Sequence, residues 1–95
     1  MMRFEWDVRK DAANRLKHGV SFELARRVFD DPNHLSIQDR HERGEERWQT
    51  IGLIGPVAIF LVAHTYEDED GEEIIRIISA RKATKRERQI YNERA

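Results

Sequence analysis

The run Ile74-Ile75-Arg76-Ile77-Ile78-Ser79-Ala80-Arg81 constrains this chain more than any other stretch. It is short and rich in β-branched residues, which predicts a single strand. Its isoleucines fall on both parities, Ile74 and Ile78 on one side, Ile75 and Ile77 on the other. Side chains alternate along a strand, so this one needs apolar cover on both faces and belongs inside a sheet. Arg76 and Arg81 are five residues apart, and the same alternation sends them to opposite faces. The character changes at Thr84. Thr84-Lys85-Arg86-Glu87 is a capping box, in which the threonine hydroxyl accepts from the Glu87 amide and the glutamate reaches back. The strand therefore ends near Arg81 and a helix starts near Lys85. That corner carries Arg81, Lys82, Lys85, Arg86 and Arg88 against Glu87 alone.

From the N-terminus, Arg3-Phe4-Glu5-Trp6 alternates polar and apolar, as a short edge strand does. Asp7 is a good N-cap, and Val8, Ala12 and Leu16 repeat at four-residue spacing, with Ala13 beside them, as the expected buried side of a first helix. Gly19 stops it. Ser21 caps a second helix, expected over 22–30, with Phe22, Ala25 and Phe29 buried and Leu24 and Val28 alongside; Pro32 forbids continuation. The two read as a helical hairpin. Leu35-Ser36-Ile37 is a candidate short strand and Asp39 to Gly44 reads as a loop. Strands are expected over 47–53 and 57–66, with a turn at Gly55-Pro56 and a hairpin signal at Asp70-Gly71. The last helix, to about Glu93, would bury Ile90 and Tyr91. The sum is an α+β fold over 1–95 as one domain: an antiparallel sheet of about four strands, an N-terminal helical hairpin and a C-terminal helix.

With 95 residues the chain has room for one core. The net charge of −1 selects no class of partner, but its distribution is uneven: 67–73 holds six acids around Gly71, while the C-terminal stretch is basic. The absence of cysteine excludes disulfides and thiolate chemistry. No apolar run approaches membrane-spanning length and the first residues lack a signal-peptide core, which predicts a soluble cytoplasmic domain. His18, His34, His41 and His64 show no ligand spacing, and the acidic turn lacks the calcium-loop pattern. No Gly-rich phosphate loop or nucleophile elbow is present.

One constellation carries chemistry. If the hairpin pairs His64 with Arg76, a titratable base and a phosphate-matching guanidinium share a face, near Arg81 and the basic corner. Such a cluster suits RNA cleavage without a metal: a base takes the 2′-hydroxyl proton, arginine stabilises the phosphorane, and an acid protonates the leaving 5′-oxygen. Each member also has a plainer role. His64 can be hydrogen-bonded inside its strand, and Arg76 can pair with Glu73 or an acid on a neighbouring strand. Lys82, Lys85, Arg86 and Arg88 can be a solvated face, Lys17-His18-Gly19 an ordinary helix C-terminus, and Tyr91 core.

Phe4-Glu5-Trp6-Asp7, Asn14 with Lys17-His18-Gly19-Val20-Ser21-Phe22, and Val28-Phe29-Asp30-Asp31-Pro32 closely resemble the opening of the BrnT family. So do Glu45-Glu46-Arg47, Ile51-Gly52, His64-Thr65, Arg76 through Thr84, Glu87-Arg88 and Tyr91 in the second half. The resemblance spans nearly the whole chain, in order. It implies a RelE-like fold and a metal-independent ribonuclease toxin of a type II toxin–antitoxin module, halting translation and using no cofactor. It also implies a BrnA-like antitoxin with a ribbon-helix-helix domain in a 2:2 complex, touching operator DNA only through the antitoxin and no membrane. The residues expected to form the site are His64, Arg76 and Arg81 for catalysis, and Lys17, Arg47, Lys82, Lys85 and Arg86 for RNA, with Arg76 and Arg81 best supported by the resemblance. Glu67 departs from the family pattern, which commonly has a basic residue after the His-Thr-x segment. That departure leaves an alternative: a catalytically weak interaction module serving as antitoxin partner and co-repressor.

Overall fold

A computed structural model describes residues 1–42 and 44–94, with the backbone alone at 40–42. The elements are β1 Met2–Trp6, α1 Val8–His18, α2 Phe22–Ala25 running into a 3₁₀ segment Arg26–Asp30, β2 Leu35–Glu42, β3 Glu45–Ile54, β4 Ala58–Glu69, β5 Glu72–Lys82 and α3 Lys85–Arg94. The strands form one sheet in the order β1-β5-β4-β3-β2. β5 is interior, as its two-sided isoleucines require, and Ile74, Ile75 and Ile77 are buried. β1 is an edge strand but runs parallel to β5. The sheet is therefore five-stranded and mixed, and the expected antiparallel sheet of about four strands is corrected. β1 and its parallel partner β5 stand at opposite ends of the sequence, and no local turn signal encodes such a pairing.

The N-terminal helical hairpin is corrected as well. α1 has the caps its sequence promised: Asp7 Oδ1 accepts from the amides of Arg9 at 2.7 Å and Lys10 at 3.2 Å, and Gly19 takes a left-handed φ of 71°. α2, capped by Ser21, is only four residues long before it tightens into the 3₁₀ segment. That segment lies directly on β3. A Cβ at Gly52 would come within 2.9 Å of both the Val28 carbonyl oxygen and the Val28 Cβ, so glycine is what permits the approach. Asp31 Oδ2 then accepts from the Leu53 amide at 2.8 Å and ties the segment's end to the strand.

The roll of α1 also differs from expectation. Val8 and Leu16 are 76% and 91% exposed, Ala12 is exposed too, and the helix instead buries Asn14. The Asn14 amide group donates to the carbonyls of Val20 and Ala80, both at 2.8 Å, and its Oδ1 accepts from the Ala80 amide at 3.1 Å. Past Trp6 the edge of β5 has no strand beside it, and this side chain takes the place of a missing ladder rung. That anchoring fixes which side of the helix faces the sheet.

β2 extends well beyond Leu35–Ile37 and absorbs most of the expected loop, with a register shift between Gln38 and Arg40; Arg43 lies outside the described residues. β4 and β5 meet at the predicted hairpin turn, where Asp70 and Gly71 adopt φ of 52° and 85°, the two positive values of a type I′ turn. The main core lies between the helical segments and one face of the sheet, around Phe22, Val28, Phe60, Val62, Ile75 and Ile77. On the other face α3 covers only Ile51, Leu61 and Ile59 with Tyr91. The remainder of that face is open.

Candidate functional site

The open face owes its composition to two details of register. The hairpin pairs Thr65 with Arg76 and His64 with Ile77, one residue away from the His64–Arg76 pairing considered from sequence. Thr65 and Arg76 thus share the open face, while His64 points to the helix-covered side. The second detail is a bulge. The partner of Ala63 is Ser79, so Ile78 is an extra residue in β5. An inserted residue reverses the alternation beyond it. Arg81, opposite Leu61, therefore returns to the same face as Arg76, not the opposite one. Arg47 pairs with Thr65 from β3 and completes a row Arg47–Thr65–Arg76 across three strands.

Each of these arginines holds a carboxylate. Glu45, two residues before Arg47 on the same strand, hydrogen-bonds the Arg76 guanidinium through Oε2 and approaches Arg47 Nη2 at 3.8 Å through Oε1. Arg47 Nε is buried without a partner among the described residues. A buried unmet donor favours any anion that docks there. Arg81 grips Glu87 in a fork, Nη1 to Oε1 at 2.8 Å and Nη2 to Oε2 at 3.1 Å. Glu87 also accepts from the Thr84 amide at 2.9 Å, closing the predicted capping box. The Arg81 hydrogen bonds, opposed by partial burial, hold the Glu87 carboxyl below the usual carboxylate range. Both arginine sites are built to seat planar oxyanions, since a guanidinium matches carboxylate and phosphate alike.

His64 is 3% exposed and fully engaged. Its Nδ1–H donates to the Thr65 carbonyl at 3.1 Å, and its Nε2 accepts from the Thr50 hydroxyl at 2.7 Å, which in turn bonds Ser36 at 2.8 Å. Phe29 packs edge-on against the ring at 5.0 Å. Burial lowers its pKa from the ordinary 6.5, against the opposing pull of the Thr65 carbonyl. In the unfolded chain the imidazole protonates first, so the unfolded state binds more protons just below pH 6.5. Stability is therefore full above that value and falls as pH drops through it towards the folded-state pKa. We expect denaturation midpoints measured from pH 7.5 to 5.5 to decline, and His64→Gln to flatten that slope by up to about 1.4 kcal/mol per pH unit. An unchanged slope would mean that another group is responsible.

The other sequence candidates are dispersed. Lys17 lines a pocket of about 310 Å³ with Lys10, His18, Ile78 and Ser79, on the bulge between Arg76 and Arg81. Lys82, Lys85 and Arg86 are exposed at the far end of the sheet and the start of α3. α3 itself is pinned by Tyr91, whose hydroxyl donates to Asp31 Oδ2 at 2.5 Å; burial and that carboxylate push the tyrosine up to about 12. Sequence reasoning missed Glu45 as a member of the site. The available signal was its same-parity spacing from Arg47, which places two opposite charges on one face of one strand.

Comparison with known proteins follows the same lines. The BrnT family, described as the ribonuclease toxin of type II toxin–antitoxin systems, matches over residues 6–87. Among solved structures, the crystal structure of the Brucella abortus ribonuclease toxin BrnT superposes with a TM-score of 0.67, covering 90% of this chain and 100% of that one at 24% identity. At that identity the likeness speaks for the fold. No curated protein matches.

Proposed function

Because this chain belongs to the BrnT family of ribonuclease toxins of type II toxin–antitoxin systems, we propose that it is an endoribonuclease whose site is the open sheet face, and that it halts translation when unopposed. The observation that carries the site is the convergence of Arg47 and Arg76 on one carboxylate. An RNA phosphate entering there meets a ready-made oxyanion seat, with Arg81 on the same face about 13 Å along the sheet, four residues of strand rise. The reaction is attack of a 2′-oxygen on the adjacent phosphorus. The O2′–P bond forms, the P–O5′ bond breaks, Arg76 neutralises the charge that builds on the phosphorane oxygens, and Arg81 seats a neighbouring phosphate of the same RNA strand. Glu45 accepts the 2′-hydroxyl proton in this reading, and the 5′-oxygen leaves as a hydroxyl after taking a proton from water. His64 contributes from behind, fixing β4 through its two hydrogen bonds so that Thr65 and Arg76 keep their register. Lys17, Lys82, Lys85 and Arg86 guide the RNA backbone as point charges. The positive charge comes from side chains, so no metal is required.

The neutralising partner in this reading is a BrnA-like ribbon-helix-helix antitoxin in a 2:2 complex, which carries the contact with operator DNA, in the cytoplasm. No described helix is long and apolar enough to cross a membrane. The test is induction of this chain alone, followed by inspection of total RNA. Growth arrest is expected, with fragments ending in 2′,3′-cyclic phosphate and 5′-hydroxyl groups. Normal growth with abundant folded protein would instead favour a catalytically weak interaction module. The feature on that side is a pocket of about 270 Å³ beside the arginine row, in which Glu45, Glu46 and Glu67 gather three carboxylates. Such a pocket repels RNA at close range.

A further inference from the structure

The side of α1 that its sequence marks for burial is the side the fold leaves in water. Apart from Met1, Leu16 and Val8 are the most exposed large apolar residues among those described, at 91% and 76%. With Ala12 between them they form one stripe, since residues four apart stack on a helix. Two cations flank it, Arg9 on one side and Arg15 on the other, while Lys10 and Lys17 face away and line a pocket with Ile78 and Ser79 at the β5 edge. The one acid in the helix, Asp11, is turned inward, where Oδ1 accepts from the Phe22 amide at 2.9 Å and only 15% of the side chain is exposed. The helix is also rigid before any partner arrives, capped by Asp7 and Gly19 and pinned through Asn14. Eleven residues give about 16 Å of docking edge, three turns of helix.

We propose that this stripe is the seat of an acidic amphipathic helix of the antitoxin, with apolar residues at three- and four-residue spacing and Asp or Glu on its flanks. The inference rests on the toxin–antitoxin reading and adds the surface and the chemistry of the partner segment. Charge selects the occupant. A second copy of this chain docking symmetrically would bring two sets of Arg9 and Arg15 face to face, which like-charge repulsion opposes. An acidic helix meets both the stripe and its rim, and helix-in-groove recognition reads such spacing. The stripe lies apart from the arginine row, so an antitoxin held there can extend its chain over the open face without Val8, Ala12 or Leu16 taking part in RNA cleavage.

The test uses the full-length chain and the purified antitoxin encoded beside it. Leu16→Glu and Val8→Glu are expected to weaken antitoxin binding at least tenfold each. Arg15→Glu should weaken it further in low salt than in high salt. RNA cleavage and thermal melting should stay as in the wild type, because these side chains are exposed and outside the site. In cells, Leu16→Glu should still arrest growth, and antitoxin co-expression should no longer rescue it. Three results would overturn the proposal alone: variants that bind the antitoxin like the wild type, wild-type dimers that Leu16→Glu dissociates, or stripe-dependent adsorption to anionic vesicles. A wild-type chain that binds no antitoxin at all would overturn the toxin–antitoxin reading with it.

Discussion

Arg76→Ala should abolish growth arrest and reduce RNA cleavage by about 10²–10³-fold, the usual cost of removing one preorganised donor from a developing oxyanion. The fold should be indifferent. The Arg76–Glu45 pair is half exposed, at 45% and 35% of the two side chains, and such pairs contribute about 0–1 kcal/mol. A melting curve within a few degrees of the wild type therefore accompanies a dead enzyme. Arg76→Lys keeps the charge but loses the planar fork, and most of the defect should remain. Glu45→Gln separates two roles for its carboxylate. As the proton acceptor, its loss lowers the rate. Should Glu45→Gln cleave faster than the wild type, the carboxylate is only an occupant of the phosphate seat, and the acceptor lies elsewhere. Full toxicity of both Arg76→Ala and Arg81→Ala would remove the open face from the mechanism altogether.

What the sequence could and could not convey follows from the range of each signal. Caps and turns are local chemistry, and Asp7, Gly19, Ser21, Asp70-Gly71 and the Thr84–Glu87 box stand where they were read. The isoleucine run also told the truth about β5, because two-sided burial is written into a single strand. The failures are non-local. Nothing near Met2–Trp6 says that it will lie parallel to a strand seventy residues on. The site suffered most from a single inserted residue: strict alternation separates Arg76 from Arg81, and the bulge at Ile78 reunites them. The same one-residue sensitivity set His64 against Ile77 and behind the sheet. In α1 the apolar spacing was real but its meaning was inverted, because one polar residue, Asn14, made better use of the sheet edge than the stripe did. Binary pattern ranks hydrophobic faces and does not weigh an amide that completes a strand's hydrogen bonding.

Asn14→Ala is accordingly expected to be among the most damaging substitutions in the chain, although it removes no apolar contact of note. It leaves the Ala80 amide and the carbonyls of Ala80 and Val20 without their partner, at residues that are 1% and 2% exposed. Each orphaned buried group costs about 1–3 kcal/mol; relaxation and entering water reduce the total to roughly 3–4 kcal/mol. Against a total stability of about 5–15 kcal/mol for a domain of this kind, that is a large share, and a fall in Tm of about 15 °C is expected. Asn14→Asp should be no better: it keeps the acceptor for Ala80 but aims a carboxylate at two carbonyl oxygens. Asn14→Leu, which fills the space without bonding, tests whether volume matters more than the amide. Recovery of most of the stability by Leu would mean that α1 is held by packing and that the bonded edge is incidental. Loss in all three variants would mean that one side chain determines how α1 sits. The same anchor would then decide which way the Val8–Leu16 stripe faces, because the stripe belongs to the helix whose roll Asn14 sets.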